Sequence, residues 1–258
     1  MIDLVFLGLV IFAAVYWLVA LTAVVRYRQR RPSTSDVAPP VTMLKPLRDN
    51  DGQLYENLRS FCLQDYRSFE IVFGVRDVHD PAVAVVERLR QEFPGLELKL
   101  VADSRTIGTN LKVSSLANLV RHAKHDTLIV ADSDMRVGPG YVRAVVGPLE
   151  DRRVGLVTCL YRGVASHGVA SKLGAMFINE WFLPAALIGT HIQRLRHAFG
   201  ATIACRRDTL RSIGGFEAVA DSGLSAASFF TDHSDSPCRG PTHGWSRSAT
   251  SCLSLSGF

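Results

Sequence analysis

From Val41 onward strand-like and helix-like segments alternate, and this alternation restricts the fold more than any other feature of the chain. Short apolar runs predict strands over 41–47, 70–75, 96–101 and 128–131. Between them, residues at helical spacing predict helices over 53–63, 81–93 and 109–123. In the last of these, Val113, Leu116, Ala117 and Val120 fall on one stripe. Further segments follow: a helix opened by Gly138-Pro139-Gly140, a strand over 155–161, and a strand, then a helix starting at Asp208, before Gly214-Gly215. Successive β-α-β units require crossover connections, so the expected class is α/β, a mostly parallel sheet with helices on both faces.

In such a sheet ligands lie beyond the carboxyl ends of the strands. Three expected strand ends carry polar groups: Lys45-Pro46-Leu47-Arg48, Arg76-Asp77-Val78-His79-Asp80 and Asp132-Ser133-Asp134. In the third, two carboxylates one residue apart share a face if the extended geometry persists. Two hard oxygen donors there could hold Mg²⁺ or Mn²⁺ and, through the ion, an anionic diphosphate. Each group also has a plainer explanation. Asp-Ser-Asp suits a ligand-free turn, Asp77 and Asp80 suit a loop or a helix cap before Pro81, and Lys45 and Lys112 suit solvated surfaces. Their coincidence at one sheet edge favours a site over four separate explanations.

Residues 4–23 form an almost unbroken apolar run, and extended to Val25 it gives about 33 Å of helix, long enough to span a bilayer. A cleaved signal peptide fits less well, because no charged segment precedes the run and it exceeds the usual apolar core of a signal. Arg26, Arg28, Arg30 and Arg31 follow it and supply all but one of the net charge of +5. The positive charge is therefore local. It argues against a nucleic-acid partner and places the rest of the chain in the cytoplasm by the positive-inside rule. The expected organisation is a single-pass anchor at 1–25, a basic juxtamembrane segment and proline-rich linker at 26–40, and a folded domain from Val41.

Five cysteines without CxxC or Cys/His spacing point to neither a disulfide framework nor a zinc site. A second apolar stretch, 169–192, is interrupted by Lys172, Asn179, Glu180 and Pro184. It is expected as a helix buried in the domain or lying at the membrane surface, rather than as a second span.

Read in order, the segments resemble the ceramide-glucosyltransferase-like glycosyltransferases, including the bacterial enzymes associated with hopanoid biosynthesis. The resemblance rests on the anchor, Val41-Thr-Met-Leu-Lys-Pro-Leu47, Tyr55-Glu-Asn-Leu58, Gln64-Asp-Tyr66, Gly74-Val-Arg-Asp77 with Asp80-Pro81, Gly108-Thr-Asn-Leu-Lys-Val113, Ala131-Asp-Ser-Asp134 and Gly214-Gly-Phe216. It implies a GT-A, Rossmann-like domain over 41–221 and inverting, metal-assisted transfer of a sugar from a UDP-sugar to a lipid hydroxyl on the cytosolic side of a bacterial inner membrane. It implies that Asp77 reads the uridine, that Asp132 and Asp134 meet the diphosphate and its Mg²⁺ or Mn²⁺, and that Lys45 and Lys112 face phosphate. A polyprenyl phosphate or polysaccharide acceptor is the enzymatic alternative.

After Asp221 the sequence departs from this pattern. The family's acidic pair carrying the general base and its Gln-x-x-Arg-Trp motif are both missing, and residues 222–258 hold ten serines in 37 positions. Asp232, Asp235 and Trp245 lack the surrounding residues that would match. Residues 222–258 are expected to be a disordered, non-matching tail, as from a shifted reading frame, leaving the domain incomplete and no catalytic base identified. A non-catalytic nucleotide-sugar-binding protein at the membrane is the reading from a different class.

Overall fold

The structure, a computed structural model, describes residues 2–29, 38–49, 52–166, 168–192, 198–221 and 249–253. In chain order the main elements are α1 (Ile2–Gln29), β1 (Val41–Pro46), α2 (Leu54–Cys62), β2 (Phe69–Val75), α3 (Ala82–Glu92), β3 (Glu97–Ala102), α4 (Leu111–Val120) and β4 (Thr127–Ala131). They continue with α5 (Tyr141–Val146), β5 (Leu156–Leu160), α6 (Gly168–Met176), a π-helical turn (Phe177–Phe182), α7 (Leu183–Ile192), β6 (Thr202–Arg206), α8 (Arg207–Ser212) and β7 (Ala249–Leu253). Two compact units result: residues 1–32 with 161–195, and residues 33–160 with 196–258. Of the expected juxtamembrane segment and linker at 26–40, residues 30–37 lie outside the described residues, as do 222–248 and 254–258.

In the larger unit the strands form one sheet in the order β3-β2-β1-β4-β6-β5-β7. The α/β expectation holds: β1 runs parallel to both β2 and β4, and β2 runs parallel to β3. The sheet is mixed because β6 is antiparallel to β4 and to β5. The chain builds outward from β1 through β2 to β3, then returns to place β4 on β1's other side. The strand order therefore reverses between β1 and β4, and ligands of open α/β sheets bind at such a reversal.

Alternate strand residues face opposite layers. Met43, Ile71, Phe73 and Ile129 pack with Leu58 and Phe61 of α2, Val86 and Leu89 of α3, and Val142 and Val145 of α5. Leu44, Val72, Leu128 and Val130 pack with Val113, Leu116 and Ala117 of α4, Leu210 of α8, and Phe216. Gly74 lets Leu119 of α4 lie directly on the sheet, since a Cβ there would lie 2.6 Å from the Leu119 side chain.

Ala249–Leu253 departs from the expectation of a tail without regular structure. It forms β7, paired in parallel with β5 through Leu156–Ala249 to Leu160–Leu253.

The smaller unit contains α1 and the α6–α7 helical segment, and α7 packs against α1. Asn179, in the π-helical turn, donates to Gly163 O at 2.9 Å and accepts from Gly163 N at 2.8 Å. The rings of Tyr161 and Phe182 lie 5.4 Å apart, so the helix is fastened to the chain that leads into it. Both Asp3–Tyr27 and Gly168–Thr190 are long and apolar enough to cross a membrane. The option that residues 169–192 are buried in the domain is corrected: Val169, Leu173, Met176, Phe177 and Trp181 are all exposed. An apolar helix has the same composition whether it faces a protein core or lipid, and sequence periodicity does not separate the two.

Candidate functional site

Lys45, Lys112 and Asp132 come together at the reversal between β1 and β4. β1 carries Lys45 on the same face as Met43, towards α2, where its Nζ sits 3.4 Å from the centroid of the Phe61 ring. The ammonium donates to the backbone oxygen of Asp132 at 2.6 Å. Lys112, in the first turn of α4, reaches the same residue from the other layer and donates to Asp132 Oδ1. One lysine thus fixes the main chain of the Asp132 turn and the other engages its carboxylate.

Lys45 departs from its expected place. It is fully buried, so its amine lies under the turn between a carbonyl and an aromatic ring, rather than facing a phosphate. Burial pushes its pKa down from 10.5 to about 7, against the opposing attraction of Asp132 and Asp134. A cation–π contact and one carbonyl offset only part of the cost of taking an ammonium out of water.

The extended geometry assumed for Asp132 and Asp134 also ends early. β4 stops at Ala131, Ser133 and Asp134 form a turn, and Met135 N donates to Asp132 O at 3.4 Å. Asp134 is exposed and makes no hydrogen bond or ion pair with another described residue. Asp132 is partly exposed, with Lys112 on one carboxylate oxygen. These two carboxylates fit a hard divalent cation as a donor set, although no group of three or more His, Cys, Asp or Glu side chains gathers among the described residues. The remaining ligands would have to come from a bound phosphate or water.

Asp77 lies at the carboxyl end of β2, the strand beside β1, and is exposed. Its Oδ1 accepts from His79 N at 2.9 Å, an Asx turn that fixes the carboxylate. It shares the sheet edge with Asp132 but makes no contact with it. Asp80 has the structural role considered for it: Oδ1 accepts from Ala82 N at 2.8 Å at the start of α3. Its Oδ2 accepts from Asp49 N at 3.3 Å, which ties the loops leaving β1 and β2 together. Asp49 has φ 56°, a left-handed conformation uncommon outside glycine.

Several motif residues hold the loops rather than face a ligand. Gln64 Nε2 donates to Ser60 O and Gly138 O, both at 2.9 Å, and its Oε1 accepts from Val142 N at 3.1 Å. Ser60 Oγ accepts from Val137 N at 3.1 Å, so the end of α2 grips the chain that follows Asp134. Tyr66 donates to Pro39 O at 2.6 Å. On the opposite layer the Gly108-Thr-Asn segment sets the start of α4: Asn110 Oδ1 caps Val113 N at 3.2 Å, and Asn110 N donates to Ala220 O at 3.0 Å. A Cβ at Gly108 would stand 2.3 Å from Ala220 O, so only glycine fits.

Three supporting residues escape sequence reasoning. Phe61 reads as ordinary helix core, yet it floors the Lys45 amine. Arg207 donates to the carbonyls of Val120, Ala123 and His125, closing the carboxyl end of α4. Glu70, buried at the amino ends of the strands, accepts from Thr42 Oγ1 and Lys124 N, both at 2.5 Å, and from Lys99 Nζ at 2.6 Å. A charged residue at an inward-facing strand position is the one signal that could have marked it.

Comparison with known proteins gives the family and the fold. The family described as "Glycosyl transferase family 21" matches residues 5–224. The chain is 32% identical over 211 residues to ceramide glucosyltransferase 1 of Caenorhabditis elegans, covering 80% of this chain and 45% of that protein. It is 29% identical over 157 residues to ceramide glucosyltransferase of Komagataella phaffii, covering 55% and 31%. The chain thus spans less than half the length of these two relatives. Among solved structures it is similar to a mannosyltransferase from Pyrobaculum calidifontis in complex with GDP-Man and Mn²⁺, at TM-score 0.64 and 20% identity, covering 95% of this chain and 66% of that one. That likeness shows the GT-A fold.

Proposed function

The chain belongs to glycosyl transferase family 21, and on that premise we propose that it is a membrane-anchored glycosyltransferase, acting from a UDP-sugar on a lipid hydroxyl. The observation that carries this reading is the meeting of Lys112 and Asp132 where the strand order reverses, with Asp134 exposed in the same turn. The similarity to proteins named ceramide glucosyltransferase supports a lipid acceptor of ceramide or hopanoid type. The GDP-Man and Mn²⁺ of the structural neighbour support a nucleotide-sugar donor and a divalent cation.

In this reading residues 1–25 cross the membrane, 26–40 connect, and 41–221 form the donor domain on the cytosolic side, which the positive charge following the anchor selects. Asp77 accepts from the uracil. Asp134 and Asp132 would hold Mg²⁺ or Mn²⁺, which when bound supplies positive charge to the diphosphate as it departs. Lys112 adds a second positive charge from the other layer. Lys45 acts from below, holding the Asp132 main chain so that the carboxylate needs no reorganisation as charge develops. In a single inverting displacement the acceptor oxygen bonds to the sugar's anomeric carbon while the bond from that carbon to the diphosphate breaks. The hydroxyl proton passes to a general base, and the electron pair leaves with UDP.

Calorimetry of UDP with Mn²⁺ tests the donor assignment. Asp134→Ala is expected to abolish the metal-dependent part of UDP binding, and unchanged binding would refute the ligand assignment. Labelled UDP-sugars offered with ceramide, hopanoid and polyprenyl-phosphate acceptors in proteoliposomes then identify the acceptor.

The sequence after Asp221, without an acidic pair or Gln-x-x-Arg-Trp, favours a second reading in which this chain binds the donor and does not transfer it. Stabilisation by UDP-sugar and Mn²⁺ with no glycolipid formed would select that reading. Sequencing the gene across codon 221 tests the shifted frame behind it, which requires an alternative frame that encodes both motifs.

A further inference from the structure

We propose that the α6–α7 segment lies in the plane of the cytosolic leaflet, with Val169, Leu173, Phe177 and Trp181 inserted among the lipid chains. These four side chains, with Met176, are exposed to between 58% and 72% in the folded chain. An apolar row of this length facing water is costly and marks a contact surface. The four recur every fourth residue, which on a regular α-helix drifts by about 40° per step and would carry Trp181 off the face. The π-helical turn Phe177–Phe182 takes more residues per turn and brings Trp181 back into line. Asn179 supports that turn through its paired bonds to Gly163, so its polar group enters the membrane surface already satisfied. Lys172 borders the row and Glu180 precedes its last member, both exposed and able to reach headgroups.

The packing within the same unit identifies the occupant as lipid and sets its depth. Along α1, residues 3–15 are all exposed, and burial begins only in the second half, at Ala20, Ala23 and Tyr27. α7, with Leu187 buried, is the element packed there. A helix crossing the bilayer beside α1 would bury a stripe along its whole length. Contact confined to the half that ends at Arg26 and Arg28 places α7 at the cytosolic boundary, with the apolar row continuing the lipid-facing surface of α1. Tryptophan and phenylalanine at this depth act as interfacial anchors.

The inference rests on α1 being a membrane anchor, and one experiment separates the two. The full chain is reconstituted in phosphatidylcholine–phosphatidylglycerol bilayers carrying bromine either near the headgroups or near the chain ends. The contributions of Trp181 and Trp17 to fluorescence are isolated by difference with Trp181→Phe and Trp17→Phe. Trp181 is expected to be quenched more strongly by bromine near the headgroups than near the chain ends. A crossing helix would put Trp181 deep in the bilayer and reverse that order, which overturns the proposal. Absence of Trp181 quenching by either lipid overturns it too, since the row is then covered by protein or water. Loss of Trp17 quenching signals instead that the anchor reading has failed.

Discussion

Lys45→Met probes the floor of the site through its pH dependence. In the folded chain burial pushes the Lys45 ammonium down from 10.5 to about 7, and Asp132 and Asp134 pull the other way. The unfolded chain keeps the ordinary value. Between those two values the unfolded chain holds the additional proton, so wild-type stability rises with pH across the window and is level outside it. The gap corresponds to at most about 5 kcal/mol, a cost of burying the charge that disappears once the amine is neutral. Methionine keeps the length and a favourable contact with the Phe61 ring, but leaves Asp132 O without its donor, at about 1–3 kcal/mol. Below about pH 7 the variant should therefore be the more stable protein by roughly 2–4 kcal/mol, and near pH 10 it should be the less stable by about 1–3 kcal/mol. Urea unfolding of the full chain in detergent with EDTA, at several pH values across the window, measures this difference directly, because groups not coupled to Lys45 cancel between the two proteins. The sign should reverse within the window, while UDP affinity falls at all pH values because the Asp132 turn is no longer held. Parallel stability profiles for the two proteins would refute the buried-ammonium account.

Gly108→Ala should lower stability by about 1–3 kcal/mol, because the new methyl group meets the Ala220 backbone carbonyl and neither chain can give way easily. Denaturant unfolding checks this, and UDP binding should weaken with it as α4 shifts Lys112; a variant as stable as wild type would show that the two segments do not touch. Glu70→Gln presents an amide to Lys99 where the carboxylate accepted its bond, and should cost about 1–3 kcal/mol near neutrality. Burial alone would raise the Glu70 pKa, but the bonds from Lys99, Thr42 and Lys124 outweigh it and hold the pKa below 4.5. Its stabilisation is thus present above the ordinary carboxylate value and is lost as pH falls through the depressed folded one. The gap between wild type and Glu70→Gln should shrink in acid, and a gap that stays constant there would contradict the assignment.

Local periodicity made most of the sheet legible. Over 41–131 the expected strands and helices differ from the observed ones by no more than three residues at their ends, because each carries its own apolar pattern. The antiparallel placement of β6 between β4 and β5 was not legible, since pairing between strands far apart in sequence leaves no local trace. The same division runs through the site. Asp132 and Asp134 stand out in the sequence because their type and spacing suit a cation, Lys112 stands out by its place in a family motif, and the structure brings Lys112 to Asp132. Lys45 has the right type in the right motif, but its environment depends on Phe61 and on a backbone carbonyl 87 residues away. Composition likewise could not tell a lipid-facing 169–192 from a buried one.

The motifs that carried the family resemblance fall into two physical classes. Asp77, Lys112, Asp132 and Asp134 present charge at the sheet edge. Gln64, Tyr66, Gly74 and Gly108 present nothing to a ligand and instead fix the two layers against the sheet. The second class explains why the site is assembled from segments so far apart: the end of α2 secures the chain after Asp134, and the Ala220 carbonyl secures the chain before Lys112. Asp221 Oδ1 also accepts from Thr109 N at 3.3 Å, three residues before Lys112. Asp221 is therefore bonded to the loop that positions Lys112. The family match runs to residue 224, so the segment proposed to hold the donor closes on the loop that precedes Lys112.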